Sequence, residues 1–161
     1  MQKHESLTAD KITVLLNLLD FQLKEIQRRQ DREQQIFQWS TSLLLGVFGA
    51  IIALAGNVSA APTAMTIKIL ASLMILFPVL FSVFWIFRLS QQATHNAGVV
   101  DSIQQLLHLF ETGYYGPESP YPPAWQGKLK GNLQQRKTPI YYSVVMVTMV
   151  LCVVVTIWLV L

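Results

Sequence analysis

The chain has 161 residues, of which 52% are hydrophobic and only 13% are charged, whereas roughly a quarter of the residues are charged in a soluble domain. The hydrophobic residues are gathered in three blocks of about 20 residues, and a helix of that length crosses the ~30 Å hydrocarbon core of a bilayer. This composition excludes an ordinary soluble domain. It predicts an all-α integral membrane protein with three transmembrane helices.

The three blocks divide the chain into six predicted segments. In chain order these are a cytoplasmic N-terminal helix at 1–35, a first transmembrane helix at 36–56, a short outer loop at 57–66, a second transmembrane helix at 67–88, a cytoplasmic segment with an amphipathic helix and a proline-rich strap at 89–138, and a third transmembrane helix at 139–161.

The basic residues predict the orientation. Of the 12 lysines and arginines, six precede the first block, five lie between the second and third blocks, and only Lys68 is near the short connection. Positively charged flanks of membrane spans stay in the cytoplasm. We therefore expect an inner-membrane protein whose N-terminus and 89–138 segment are cytoplasmic and whose 57–66 loop and C-terminus lie outside.

The N-terminal segment has apolar residues on two sides of its predicted helix. One stripe repeats at helical spacing and comprises Ile12, Leu15, Leu16, Leu19, Leu23 and Ile26. Roughly opposite lies a second patch of Val14, Leu18 and Phe21, since each residue advances ~100° around a helix. Two apolar sides predict protein contacts on both. Acids and bases cancel over 1–35, so we expect no nucleic acid partner.

Small residues share one side of the first transmembrane helix. Ser42, Gly46 and Ala50 are spaced four apart, and Gly49 with Ala53 forms a neighbouring row. Small residues at this spacing let two helix backbones approach closely in lipid. The pattern predicts helix packing. It leaves open whether the partner is another span of the same chain or a second copy in a homo-oligomer.

The sequence predicts a bend in the second transmembrane helix and an amphipathic helix after it. Pro78 predicts a bend, because it removes a backbone hydrogen bond. Apolar residues from Val99 to Phe110 predict an amphipathic helix, with Asp101 and His108 on its solvent-facing side and Gly113 as its terminator.

The strap "TGYYGPESPYPPAW" at 112–125 contains four of the seven prolines. Its candidate interaction residues are Tyr114, Tyr115, Tyr121 and Trp125. Proline restricts the chain, and the rings suit a headgroup boundary or the cover of a helix bundle. The strap therefore either folds the cytoplasmic segment back against the bilayer or offers a docking surface to a cytoplasmic protein partner.

Few residues of the sequence could take part in catalysis or in metal binding. His95, Asp101, His108 and Glu111 form the one cluster that resembles a site. Within it, His108 and Glu111 are three residues apart and could share a metal ion, but no third ligand lies at metal-site spacing. We therefore predict no catalytic, cofactor-binding or metal-binding residue. The leading hypothesis is a non-enzymatic, self-associating scaffold or interaction subunit that contacts membrane lipid. The alternative is an oligomeric ion channel or a membrane-permeabilising effector, although no span has a continuous polar stripe.

Overall fold

A computed structural model describes residues 9–54 and 64–160. Over these ranges the chain is helical and has no strand. The elements are α1 (Ala9–Leu54), α2 (Ala64–Leu106), a 3₁₀ turn (Pro123–Trp125), α3 (Lys128–Gln134) and α4 (Thr138–Val160). Three of the helices, α1, α2 and α4, are long and apolar enough to cross a membrane. The predicted all-α membrane fold with three transmembrane helices is therefore confirmed.

Two of these helices are longer than a membrane span. Helix α1 has 46 residues, and the sequence has neither glycine nor proline from Thr8 to Leu45 to interrupt it. Helix α2 has 43 residues and continues past Arg88, with Pro78 inside it. The predicted outer loop at 57–66 lies outside the described residues up to position 63, and its remaining residues belong to α2.

The described residues form two compact units. We call residues 9–30 and 90–136 the strap unit, and residues 31–54, 64–89 and 137–160 the span unit. Each unit has its own hydrophobic core. Because α1 and α2 both continue from one unit into the other, each unit is built from segments that are distant in sequence.

The core of the span unit lies between α1, α2 and α4. Its buried side chains are Leu44, Val79, Ile86, Met146 and Val150, and a second cluster contains Ile51, Val153 and Ile157. The rings of Phe37 and Tyr142 stack beside this core, with their centroids 4.3 Å apart. Many large apolar side chains outside the core remain exposed. Lipid tails are as apolar as these side chains, so a membrane can cover them.

The core of the strap unit is built by α1, α2 and α3. Ile26, Ala97 and Val100 are buried, and Leu129 and Leu133 of α3 pack against them. Ile103 and Leu107 are also buried, so most of the apolar stripe that predicted an amphipathic helix faces the interior, whereas Leu106 of the same stripe is 59% exposed. This short third helix was absent from the sequence prediction.

The predicted end of the amphipathic helix is wrong. Helix α2 ends at Leu106, well before Gly113. His108 adopts the left-handed conformation with φ 53°, its backbone N–H donates to Gln105 O over 2.9 Å, and the N–H of Leu109 donates to Gln104 O over 3.2 Å. These two bonds are the pattern of a Schellman C-cap, which usually places glycine where His108 lies.

The predicted solvent exposure of Asp101 is also wrong, because the residue is only 7% exposed. The backbone N–H of Lys130, in the first turn of α3, donates a hydrogen bond to the Asp101 carboxylate. First-turn N–H groups have no acceptor within their own helix, and Gly127 before α3 supplies no side-chain cap. Burial raises the pKa of Asp101, while the hydrogen bond and charge of Lys130 lower it by less.

Candidate functional site

The predicted packing residues of the first span form one exposed surface. We call Ser42, Gly46, Gly49, Ala50 and Ala53 the small-residue face, and all five are exposed. Leu44 and Ile51 of the same helix are buried in the span unit. Gly46 follows Leu44 by two residues, which is about 200° around the helix. The small-residue face therefore lies on the opposite side of α1 from the core.

The two glycines show how open this face is. A Cβ atom added to Gly46 or Gly49 would meet no other described atom within 4 Å, apart from the two residues adjacent in sequence and the helix's own backbone. No span of the same chain therefore packs closely on either glycine within 9–54 and 64–160. Among the described residues, this face is therefore open to a partner from outside the chain.

A groove opens between α1 and α2 of the span unit. It has a volume of about 580 Å³ and is lined by Gln35, Ile36, Trp39, Pro78, Phe81, Ser82 and Trp85. The rings of Phe81 and Trp85 stack with centroids 5.8 Å apart. The lining is almost entirely apolar, so lipid tails can fill the groove.

The strap closes on the end of α2. The Tyr115 hydroxyl donates to Leu107 O over 2.6 Å, and the backbone N–H of Tyr121 donates to Leu109 O over 2.9 Å. The Tyr114 ring stacks on His108 with centroids 4.4 Å apart. Carbonyls at a helix C-terminus lack partners within the helix, so Tyr115 supplies a donor that the end of α2 needs, while the bond from Tyr121 holds the strap to the residues just after the helix.

The other strap rings line a second groove, which we call the aromatic groove. Tyr121 lies between Phe110 and Trp125, with its centroid 6.1 Å from each. The groove has a volume of about 450 Å³, and its remaining lining residues are Leu23, Gln104, Lys128, Leu129 and Asn132. The four strap candidates thus divide between two roles: Tyr114 and Tyr115 hold the strap, and Tyr121 and Trp125 line the groove.

The polar side of this groove was not predicted from the sequence, because α3 was not predicted. Lys128, Leu129 and Asn132 all belong to that helix. One sequence signal could have found it: Leu129 and Leu133 are four residues apart, directly after Gly127. That spacing places both leucines on one side of a helix.

The titratable cluster proposed from the sequence is divided in the structure. His108 Nδ1 lies 2.8 Å from Glu111 Oε1, Asp101 is buried beneath α3, and His95 is exposed. Burial raises the pKa of Tyr115, and Tyr114 beside it adds to the shift. In the part of the chain that the structure describes, no group of three or more His, Cys, Asp or Glu residues could hold a metal ion.

Comparison with known proteins gives one informative match. No curated protein and no solved structure matches the chain. Residues 20–161 match the model of the octameric membrane protein family. The match includes the small-residue face, the strap and all helices except the first residues of α1. The chain therefore belongs to the octameric membrane protein family and is a small multi-pass membrane protein that forms homo-oligomers.

Proposed function

We propose that the chain is a non-enzymatic scaffold subunit that assembles as a ring of eight copies in the inner membrane and presents a cytoplasmic helical module to a protein partner. The observation that carries the proposal is the exposed small-residue face of α1, which lies opposite the core of the chain's own span unit. The family description supplies the number eight. Nucleic acid is not among the proposed partners.

A ring follows from how membrane proteins insert. Copies of one sequence insert with one topology, because the same basic flanks are retained in the cytoplasm. A two-fold axis within the membrane plane would turn half of the copies upside down. Eight copies with one orientation therefore have cyclic symmetry, in which each contact joins two different surfaces of neighbouring chains. The small-residue face is one of these surfaces in the proposal.

Close packing explains why this face would bind another copy rather than lipid. Helices in a bilayer associate through van der Waals contacts and interhelical hydrogen bonds, because burial from water gives no driving force there. Gly46 and Gly49 leave space for a neighbouring backbone, and Ser42 adds a hydroxyl at the same surface. Lipid tails fill such a surface less completely than a helix of matching shape.

The proposed orientation places the strap unit in the cytoplasm and the C-terminus outside. The split of basic residues supports it. A contact in the span unit also agrees with it: Lys68 Nζ lies 3.4 Å from Trp158 O. These two residues come from different spans, and both are expected at the outer interface, where tryptophan and lysine are common anchors.

The channel alternative is less well supported. Hydroxyl groups in the spans donate to the carbonyl four residues earlier in their own helix, over 2.8 or 2.9 Å, at Ser72, Ser82, Ser143, Thr148 and Thr156. A hydroxyl satisfied in this way does not require a water-filled lumen. Ion or dye flux through liposomes that contain the purified protein would test this point. Robust flux that a Ser42→Phe variant blocks would favour the channel.

Particle mass in mild detergent tests the assembly. We expect a mass of eight chains for the unaltered protein and smaller particles for Gly46→Leu, because a bulky side chain forces neighbouring backbones apart. Thermal stability of the Gly46→Leu chain itself should change little, since the space around Gly46 is open.

Cys152→Leu is the matched control, because Cys152 is an exposed position on α4. It should leave the particle mass unchanged. An intact octamer in the Gly46→Leu variant would mean that the small-residue face contacts lipid, and the proposed interface would be wrong.

A further inference from the structure

The N-terminal part of α1 carries an apolar surface that the described residues of its own unit, 9–30 and 90–136, leave exposed. Val14, Leu18 and Phe21, which we call the ridge, are 64%, 40% and 60% exposed. Their spacing of four and three residues places them along one side of the helix. This is the i, i+4, i+7 pattern of a helix that binds in the groove of a protein partner.

The location of the ridge makes its exposure costly. Exposed apolar side chains of the span unit can face lipid, but the strap unit is cytoplasmic in the proposed function. Apolar surface left in water costs free energy in proportion to its area. Covering the ridge with protein would therefore stabilise an assembly by removing apolar surface from water. Covering the apolar side chains of the span unit removes them only from lipid.

The same unit carries a concave surface on its other side. The aromatic groove is lined by Leu23 of α1 together with strap and α3 residues. Leu23 follows Val14 by nine residues, which is about 180° around the helix. One strap unit therefore has an apolar ridge on one side of α1 and an aromatic groove on the opposite side, as a contact repeated around a ring requires.

The charges beside these surfaces are compatible with such a contact. Asp10 precedes Val14 by one turn and therefore lies beside the ridge, where it is exposed. Lys128 lines the aromatic groove. Opposite charges on two facing surfaces steer their encounter and fix their register. Lys11 lies on the other side of the ridge, so the negative charge of Asp10 is available along only one edge of the proposed contact.

We propose that the ridge of each copy binds in the aromatic groove of the next copy, so that the strap units form a closed collar of eight. The inference rests on the proposed ring and adds its cytoplasmic interface. A ridge-to-ridge contact would join copies only in pairs. A ridge-to-groove contact repeats from copy to copy and closes when each step turns by about 45°, one eighth of a circle.

Cross-linking between two distinguishable chains tests the contact. Both chains carry Cys152→Ser. One also carries Val14→Cys, and the other carries cysteine in place of Gln104, Lys128 or Asn132 in turn, three positions that line the groove. The two chains differ in size, are produced together, and are treated in native membranes with a short thiol-reactive cross-linker.

We expect a product of mixed size for at least one groove position and little product when either chain is alone. Thr13→Cys is the matched control. Thr13 is an exposed neighbour of Val14 but lies about 100° away around the helix, so it should give a much lower yield. A single chain with Val14→Cys and the reactive groove substitution should give a ladder of covalent products that stops at eight chains.

Three outcomes would overturn the inference. The first is a product from Val14→Cys chains alone, which would mean that ridges meet each other. The second is an equal yield from the Thr13→Cys control. The third is no mixed product at any groove position in particles that retain the mass of eight chains, which would remove the collar and leave the ring. A particle mass other than eight chains in the unaltered protein would instead contradict the proposed function.

Discussion

Ser40 Oγ donates a hydrogen bond to Ser82 Oγ over 3.0 Å, and both side chains are buried between α1 and α2. Ser82 in turn donates to Pro78 O over 2.9 Å. The two hydroxyls therefore satisfy each other and a helix carbonyl in surroundings that offer little water. They join two spans directly beside the proline of α2.

Removing either hydroxyl should loosen this helix pair. Interhelical hydrogen bonds in membranes contribute about 0.6 kcal/mol on average, so Ser40→Ala and Ser82→Ala should each destabilise the protein by roughly that amount. The double variant should lose little more than either single one, because both remove the same bond. Thermal unfolding in detergent would measure this.

Ser72→Ala is the control for the serine pair, since the Ser72 hydroxyl donates to Lys68 O of its own helix. It should be nearly neutral. Fully additive losses from Ser40→Ala and Ser82→Ala would show that the two hydroxyls act independently.

Asp101 should act as a cap for α3. In Asp101→Ala the N–H of Lys130 loses its acceptor, and loss of a helix N-cap typically costs about 1 kcal/mol. Asp101→Asn keeps an oxygen that can accept the bond and should be much milder. The stability of the strap unit, followed by hydrogen exchange in α3, would separate the two variants. Equal losses would mean that the carboxylate charge, not the bond, is required.

The raised pKa of Asp101 gives a pH dependence with a definite sign. Because burial raises the pKa, the folded state holds this proton more tightly than the unfolded state does. The contribution of Asp101 to the free energy of unfolding is therefore greatest below about pH 4 and falls as the pH rises through the folded pKa. Asp101→Asn should remove this fall. A steeper fall in that variant would contradict the assignment.

Tyr115 should hold the strap to the end of α2. Tyr115→Phe removes the hydroxyl that donates to Leu107 O, a hydrogen bond worth about 1 kcal/mol. Limited proteolysis near residues 113–130 should then be faster. Tyr121→Phe keeps its ring and its backbone bond to Leu109 and serves as the control. Equal cleavage rates in all three proteins would mean that the hydroxyl does not restrain the strap.

Reporter fusions would test the orientation. Fusions after Ala60 and at the C-terminus should be active outside, whereas a fusion after Gly116 should be cytoplasmic, because eleven of the twelve basic residues flank the N-terminal and strap segments. An outward reporter after Gly116 would invert the proposed topology and with it the environment of the ridge.

The sequence predicted features that depend on composition along a single helix. The apolar blocks predicted the three spans, and the spacing of Ser42, Gly46 and Ala50 identified one side of α1. The sequence did not predict features that depend on contact with a second segment of the chain. Asp101 is polar and was assigned to solvent, but α3 covers it and donates a backbone N–H.

The end of α2 shows the same difficulty. Gly113 has the usual residue type for a helix C-cap, yet His108 takes the left-handed position. Tyr115 and Tyr121 then donate to the carbonyls of Leu107 and Leu109 around it. Residue preference describes how well one residue type suits one position. It does not include hydrogen-bond donors from residues later in the chain, such as those of the strap.

The opposite placement of Leu44 and Gly46 on α1 has a consequence for inheritance. A substitution on the small-residue face leaves the buried core untouched, so the altered chain would still fold and insert in normal amounts. In a cell that makes both normal and altered chains, the altered ones would enter the same assemblies. In the proposed ring of eight copies, few rings would then consist of normal chains alone, and such substitutions should be genetically dominant.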